Sequence, residues 1–311
     1  MTIEKLNWEQ APSPHCREGV LTIGNFDGVH LGHAALAAEI RRQARILGGP
    51  AVVLTFDPHP LQMLRPERFQ PLLTTPGDRA ALLLACGVDR VVLLHTTRDL
   101  LQLTAGDFFA RVVRAGFQAR ALVEGVNFGF GRNREGTIET LARLCGQSEM
   151  NLVVVPPTEV REVRVSSSRV RDALVRGVVR EAAEYLGRSY RLTGKVGEGQ
   201  RRGRTIGFPT ANLEDIATLV PGDGVYAVRV HCKGKVWPGA ANIGPNPTFG
   251  EQARKVEVHL IGFEGDLYGE ELAVEFVERL RDTRPFANAA QLIEQLRQDV
   301  EKAHQLAADQ E

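Results

Sequence analysis

VLTIGNFDGVHLGH, Val20 to His33, is the stretch on which the reading of the chain turns. The run VLTI suits a buried strand, and the apolar-periodic stretch Leu31 to Leu47 that follows predicts a helix. Between them stand Gly24, Gly28 and Gly32, which let the backbone turn sharply and approach a ligand closely. Strand, glycine turn, helix is the geometry of the crevice at the carboxyl end of an open α/β sheet. The helix start behind the turn offers unpaired N–H groups and positive partial charge, which suit phosphate. His30 and His33 lie three apart, so both rings can point at one anion. The stretch is neither the G-x-G-x-x-G fingerprint nor a P-loop, whose Lys-Ser/Thr it lacks. A zinc site would need further ligands, and none stands out beyond His15, Cys16 and His59.

Working outward, AVVLTF from Ala51, RVVLL from Arg90, RALVE from Arg120 and NLVVV from Asn151 are further continuous apolar runs. Such runs suit strands buried on both faces of a parallel sheet. Helical patterns separate them at Gly77 to Cys86, Ala105 to Ala115 and Thr137 to Gly146, which predicts a doubly wound α/β domain. Two more helices are expected near Ser167 to Arg176, with a Ser-rich start suited to capping, and Val178 to Leu186. From Gly187 the period changes. YRLTGKV, GVYAVRV, KVWPGAANI, KVEVHLIGF and ELAVEFV are short strands between turns such as PGDG, and they predict a small antiparallel barrel or sandwich. An amphipathic helix, Ala289 to Leu306, follows. The 311 residues suit two domains at roughly 150 residues each, drawn here at 1–186 and 187–311.

The H-x-G-H of His30 to His33 resembles the signature of the nucleotidylyltransferase superfamily, in which the two histidines stabilise nucleotide phosphates. VSSSRVR, Val165 to Arg171, resembles the I-S-S-T-x-I-R motif of the same families, with Ser168 in place of the usual Thr. TFDPHP, Thr55 to Pro60, and EGVNFGFGRNREG, Glu124 to Gly136, complete an order that resembles the FMN adenylyltransferase module of bacterial FAD synthetases. The resemblance implies a Rossmann-like nucleotidylyltransferase domain. It implies that Gly24, Asn25, Phe26, Asp27, Gly32, Ser166, Ser167 and Ser168 contact ATP and that Pro58 and His59 lie near the flavin phosphate. His30, His33, Asn127 and Arg169 would stabilise the reacting phosphates.

RRGRTIGFPTANL, Arg201 to Leu213, combines basic residues, glycines and hard oxygen donors, which suit phosphate and Mg²⁺. A tight turn between strands is the plainer reading of those residues. Its G-x-P-T-A-N resembles the signature of riboflavin kinase, and NIGPNPTFG, VEVHL and DLYGEEL continue the likeness. By that resemblance Gly203, Thr210 and Asn212 bind ATP, Thr210 and Asn212 hold Mg²⁺, Glu257 is the general base, and Arg281 lies near the flavin. Alternation puts Glu257 and His259 on one strand face, away from Val256, Val258 and Leu260. His259 is read as structural. The expectation is therefore a bifunctional enzyme that phosphorylates riboflavin to FMN and adenylylates FMN to FAD, with ATP as co-substrate of both steps.

Lysine plus arginine and aspartate plus glutamate number 38 each, which argues against a general polyanion or membrane-surface binder. The neutral sum conceals two opposed segments. Residues 161–204 hold twelve basic and five acidic side chains, and residues 251–311 hold seven basic and fourteen acidic. A nucleic-acid-binding reading would use that basic segment, but only Tyr185 and Tyr190 interleave with its charge. The intact His pair and Ser-Arg motif speak against a monofunctional kinase with a degenerate first domain; a flavin storage or regulatory protein without turnover is a weaker rival. MTIEKLNWEQ carries charges where a signal peptide needs an apolar stretch, and no apolar run reaches the ~18 residues of a membrane span. Cys16, Cys86, Cys145 and Cys232 are dispersed and form no C-x-x-C, as in small buried hydrophobes of a reducing compartment. A cytoplasmic enzyme is expected, free of nucleic acid and membrane, with a homo-oligomer left open.

Overall fold

The apolar runs become neighbouring strands because each is flanked by turn residues and followed by a helix able to cover it. In the computed structural model, which describes residues 2–198, 207–245 and 253–308, an edge strand β1 (Thr2–Asn7) precedes them. The expected strands follow as β2 (Val20–Ile23), β3 (Ala51–Asp57), β4 (Arg90–His95), β5 (Ala121–Gly125) and β6 (Asn151–Val155). VLTI is thus the second strand rather than the first. All pairings in the sheet are parallel, in the order β1-β4-β3-β2-β5-β6. The order reverses direction between β2 and β5, so the crevice opens there.

Strand residues alternate between two cores. Val20, Val53, Val91, Ala121 and Val123 pack with Ala37, Ile40 and Ala44 of α1 (Leu31–Leu47). After the short α2 (Pro60–Leu64), Ala80 and Leu83 of α3 (Pro76–Ala85) join the same core. Leu21, Val52, Leu54, Val92 and Leu122 face the opposite core. Leu100 of α4 (Arg98–Gln102) and Phe108 of α5 (Ala105–Phe108) fill it, as does Phe109 at the head of the wider π turns of Phe109–Gly116. Leu141 and Cys145 of α6 (Ile138–Gln147) complete it. A hairpin of β7 (Glu159–Val160) and β8 (Val163–Arg164) follows β6.

Packing divides the chain into two units, Met1–Gln70 with Thr74–Ser166 and Pro71–Leu73 with Ser167–Glu311. The second unit begins with α7 (Ser167–Val175) and α8 (Val179–Leu186), the latter closed by Gly187 at φ 73°. Its strands are β9 (Tyr190–Gly197), β10 (Ala211–Glu214), β11 (Gly224–Cys232), β12 (Lys235–Gly244), β13 (Lys255–Leu260) and β14 (Glu271–Arg281). They form a closed antiparallel barrel in the order β10-β13-β12-β11-β14-β9. Lys233 and Gly234, both at positive φ, make the two-residue turn that a twisted hairpin between β11 and β12 favours. Leu192, Val196, Val228, Ile243, Val258, Val274 and Phe276 fill the barrel.

The terminal helix α9 (Ala289–Ala308) is capped by Asn288, whose Oδ1 accepts from the Gln291 N–H at 3.0 Å, and packs on β11, β12 and β14. Asp299, 5% exposed at its side chain, holds it there. Both carboxylate oxygens accept from Arg281 at the end of β14, at 2.7 Å from NH2 and 3.0 and 3.1 Å from Nε. Among the described residues no helix is long and apolar enough to cross a membrane. The four cysteines are free; three are buried, and burial pushes the thiols of Cys16 and Cys145 up to about 11.

Removing one partner of a buried ion pair strands the other charge, at a cost of about 3 kcal/mol. Asp299→Ala is therefore expected to lower the melting temperature by several degrees, with Arg281→Met/Asp299→Leu recovering part of it. A D299A melt superimposable on wild type would show that the pair does not hold α9.

Candidate active sites

The first site forms where β2 leaves the sheet. β2 pairs with β3 over four residues but with β5 over two, Val20 with Ala121 and Leu21 with Leu122. Beyond them the Ile23 N–H donates instead to the Glu124 side chain, at 2.7 Å from Oε1. Glu124 is 2% exposed, and burial raises its pKa well above the carboxylate range against the lowering effect of that hydrogen bond.

The loop from Gly24 then winds through positive φ at Phe26, Gly28 and Val29 before α1 begins. His30 caps α1. Its Nδ1 accepts from the His33 N–H at 3.3 Å, which leaves the proton of a neutral ring on Nε2. The two imidazoles stack with centroids 3.6 Å apart and planes inclined by 15°, and Phe26 meets His33 edge-on at 5.0 Å. Gly32 permits this stack, because a Cβ there would lie 3.1 Å from Cε1 of His30. Asp27 is turned inward, its Oδ1 accepting from both the N–H and the hydroxyl of Thr74 at 3.1 Å, while Thr74 Oγ1 accepts from the Gly28 N–H. Asp27, expected to contact ATP, is buried and braces the loop through Thr74.

Beside the loop lies a mostly apolar cavity of about 430 Å³, within the size range of small-ligand pockets. Gly24, Asn25, His59 and Asn127 line it with Phe56, Leu61, Phe108 and Phe128, so four of the residues singled out in the sequence share one cavity. His59, following Pro58, caps α2 through Nδ1, which accepts from the Leu61 N–H at 3.1 Å. The Asn127 carboxamide oxygen faces the Arg164 guanidinium, and Arg134 NH2 donates to the Asn127 carbonyl at 3.1 Å. Arg164 and Arg134 were missed in the sequence. Nothing local distinguishes them from solvated charges.

Ser166 closes the first unit, and Ser167, Ser168 and Arg169 open α7 in the second. Matched position by position, the final arginine of I-S-S-T-x-I-R falls on Arg171, and Arg169 occupies the variable position. Arg171 Nε donates to the Pro71 carbonyl at 3.2 Å.

In the barrel, strand register does the assembling. Glu257 on β13 stands directly opposite Asn212 on β10 and Asn242 on β12. All three are half-buried on the outer face, while their neighbours Ala211, Leu213, Val256, Val258, Ala241 and Ile243 are buried. Thr210 immediately precedes β10 and lines a cavity of about 320 Å³ with Val196, Leu260, Phe263, Leu267 and Tyr268. His259 Nδ1 lies 2.8 Å from the Pro209 carbonyl oxygen, which can only accept, so the ring donates and steadies the turn that presents Thr210. Asn242 was missed, although alternation in KVWPGAANI places it on the same outward face. Arg281, expected near the flavin, commits its Nε and NH2 to Asp299. Gly203 lies outside the described residues.

A glycine-wound loop on a Rossmann-like sheet and a polar trio on a closed barrel give the protein two candidate centres, the first with the local geometry of a phosphate site. Residues 13–169 match the family described as FAD synthetase, and residues 186–307 match riboflavin kinase. The bifunctional riboflavin kinase/FMN adenylyltransferase of Pseudomonas fluorescens is 39% identical over 296 residues, 95% of either chain. That of Escherichia coli strain K12 is 36% identical over 294 residues, 94% of this chain and 93% of its own. A solved structure described as a macrolide-efflux protein from Streptococcus pneumoniae superposes with a TM-score of 0.87 at 33% identity, covering 98% of this chain and 99% of that one. The chain belongs to the bifunctional riboflavin kinase/FMN adenylyltransferase family. It is a transferase of flavin cofactor biosynthesis, with kinase and adenylyltransferase activities that both consume ATP.

Because the folded protein retains the Glu124 proton that the unfolded chain releases near pH 4.3, the stability linked to this group is lost as pH rises above about that value. Glu124→Gln keeps the acceptor for Ile23 and cannot ionise. Its melting temperature is expected to exceed that of wild type at pH 7–8 and to converge with it near pH 4. A difference of equal size at both pH values would mean that the carboxyl is ionised in the fold.

Proposed function

We propose that residues 1–186 carry the adenylyl transfer and residues 187–311 the phosphorylation, with the following division of labour among side chains. The cross-strand register of Glu257 with Asn212 is the observation that carries the kinase assignment. It sets a carboxylate beside the residues of the P-T-A-N turn, so a hydroxyl bound over the outer face of β13 meets a base. Glu257 accepts the proton of the riboflavin 5′-hydroxyl as its oxygen attacks the γ-phosphorus; the bond to the β-phosphate oxygen breaks, and ADP leaves. Thr210 and Asn212 offer neutral hard oxygens next to that carboxylate, a donor set that fits Mg²⁺. Bound there with ATP, Mg²⁺ would neutralise phosphate charge. The apolar cavity beside Thr210 suits the nucleotide base.

In the adenylyl transfer an FMN phosphate oxygen attacks the α-phosphorus of ATP in line, and the bond to the β-phosphate oxygen breaks to release pyrophosphate. His30 and His33 donate to the oxygens that gain charge, which is electrostatic preorganisation rather than proton transfer. Gly24, Asn25 and Phe26 bring main chain to the phosphates. The aromatic-lined cavity suits the isoalloxazine ring, with Pro58 and His59 toward the flavin phosphate and Asn127, held by Arg164, toward the reacting groups. Ser166, Ser167 and Ser168 contact ATP phosphates, and motif register favours Arg171 over Arg169 as the arginine that joins them. Free thiols and a demand for ATP suit a cytoplasmic setting. The reactions require neither nucleic acid nor membrane, and they are compatible with a homo-oligomer.

The two assignments separate experimentally. Glu257→Ala is expected to abolish FMN formation while FAD formation from supplied FMN persists. His30→Ala should stall the enzyme at FMN, with FAD formation down by about 10²–10³-fold, the typical worth of one such donor. Loss of both activities in either variant, at an unchanged melting temperature, would sink the two-site division. Arg171→Ala should reduce FAD formation at least tenfold more than Arg169→Ala. The reverse order would return the role to Arg169.

A further inference from the structure

Neither reaction accounts for Arg79. It sits on α3 beneath the glycine loop, 0% exposed. NH1 donates to the Asn25 carbonyl oxygen at 2.6 Å and to Thr55 Oγ1 at 3.1 Å. Thr55, also 0% exposed, donates its hydroxyl to the same Asn25 oxygen at 3.1 Å. Nε and NH2 have no partner among the described residues. Burial lowers the guanidinium pKa from its ordinary value, opposed by the charges of Asp27 and Asp57, and an arginine in a protein remains protonated. An apolar side chain of this volume would fill the same space without burying a charge, and replacing buried ionic groups in that way is often neutral or stabilising. Packing alone does not explain the residue.

The geometry of Asn25 does. Its carbonyl is clamped from the core by two donors. The peptide is planar and trans, so the Phe26 N–H points the opposite way, out of the core. Phe26 itself is held at φ 49°, and among the described residues no acceptor takes the Phe26 N–H. A main-chain donor fixed in this way by groups behind it needs no reorganisation when phosphate charge develops.

We propose that Arg79 is a positioning residue for adenylyl transfer: with Thr55 it clamps the Asn25 carbonyl and so aims the Phe26 N–H as a phosphate donor. This rests on the assignment of that reaction to the glycine loop. Arg79 touches no substrate and acts through the Asn25–Phe26 peptide, which predicts an effect on turnover more than on flavin affinity.

The test uses the full-length protein, assayed for FAD from FMN and MgATP, with FMN formation from riboflavin in the same preparation as control. Arg79→Met is expected to lower kcat for FAD formation about 10–100-fold, between a displaced and a deleted donor. KM for FMN should stay within about threefold, and the kinase rate within about twofold. Arg79→Lys, which keeps the charge and a donor, should recover part of the loss. Thr55→Val, nearly isosteric, should reduce the same kcat several-fold. The proposal is overturned by R79M turnover within twofold of wild type, by R79K no better than R79M, or by a rise in KM at unchanged kcat. Should R79M lose both activities through misfolding, T55V decides: a selective fall in kcat supports the clamp, and unchanged kcat overturns it. Wild type that makes FMN but no FAD would instead remove the assignment of the loop itself.

Discussion

One strand, β2, is held unequally by its two neighbours, and the first candidate site follows from that asymmetry. On the β3 side the parallel ladder runs the full length of VLTI. On the β5 side it lasts two residues, after which a carboxyl side chain takes the hydrogen bond that backbone would otherwise accept. The strands part there, so the chain beyond Ile23 turns into a loop at the open end of the sheet. The loop is then fixed from behind: Thr74 grips Asp27 and Gly28, and Arg79 with Thr55 grips Asn25. What remains for the front is the stacked His30–His33 pair and the N–H groups at the start of α1. Asp27, a candidate ligand contact in the sequence, helps to hold this backbone through Thr74.

The barrel solves the same problem by other means. Its six strands close on one another, which leaves no edge to be covered, and Val, Leu, Ile and Phe side chains pack its interior. The polar candidates stand on the outer face and the connecting turns. Register brings Asn212, Glu257 and Asn242 side by side across three strands, and His259, next on the same face of β13, steadies the Pro209 turn. Arg281 and Asp299 fasten the terminal helix over neighbouring strands.

Much of this was legible in the sequence, for definite reasons. Continuous apolar runs located five of the six sheet strands, four of them, β2 to β5, buried on both faces and the edge strand β6 only partly covered, and the bounds of α1, Leu31 to Leu47, were readable because apolar spacing and a terminal Gly48 agree. The alternation of VEVHL placed Glu257 on the outward face because the barrel wall has one dry face, and the resemblance singled it out there. β1 escaped because an edge strand with one buried residue, Leu6, carries two charges in TIEKLN and looks like a polar terminus. Arg79 escaped because PGDRAALL reads as a helix start with an acid and a base at its exposed end; only packing shows that the base turns inward. Asp299 had a signal that was passed over, lying four residues before Ala303 and eight before Ala307, which share its buried stripe. Glu124 stands among glycines that draw the eye, although a carboxylate ending an apolar strand is itself unusual.

The outward placement of Glu257 has a consequence for how such a strand can change. β13 alternates Val256, Val258 and Leu260 with Lys255, Glu257 and His259. One set lies in the barrel core and answers to volume; the other faces outward, where Glu257 is the proposed base and His259 steadies a turn. Two texts are thus interleaved letter by letter on one strand and can be edited separately. A drift in core volume need not disturb the chemistry, and a new substrate preference need not loosen the core. An enzyme that buried its carboxylate inside the barrel would have to revise both at once.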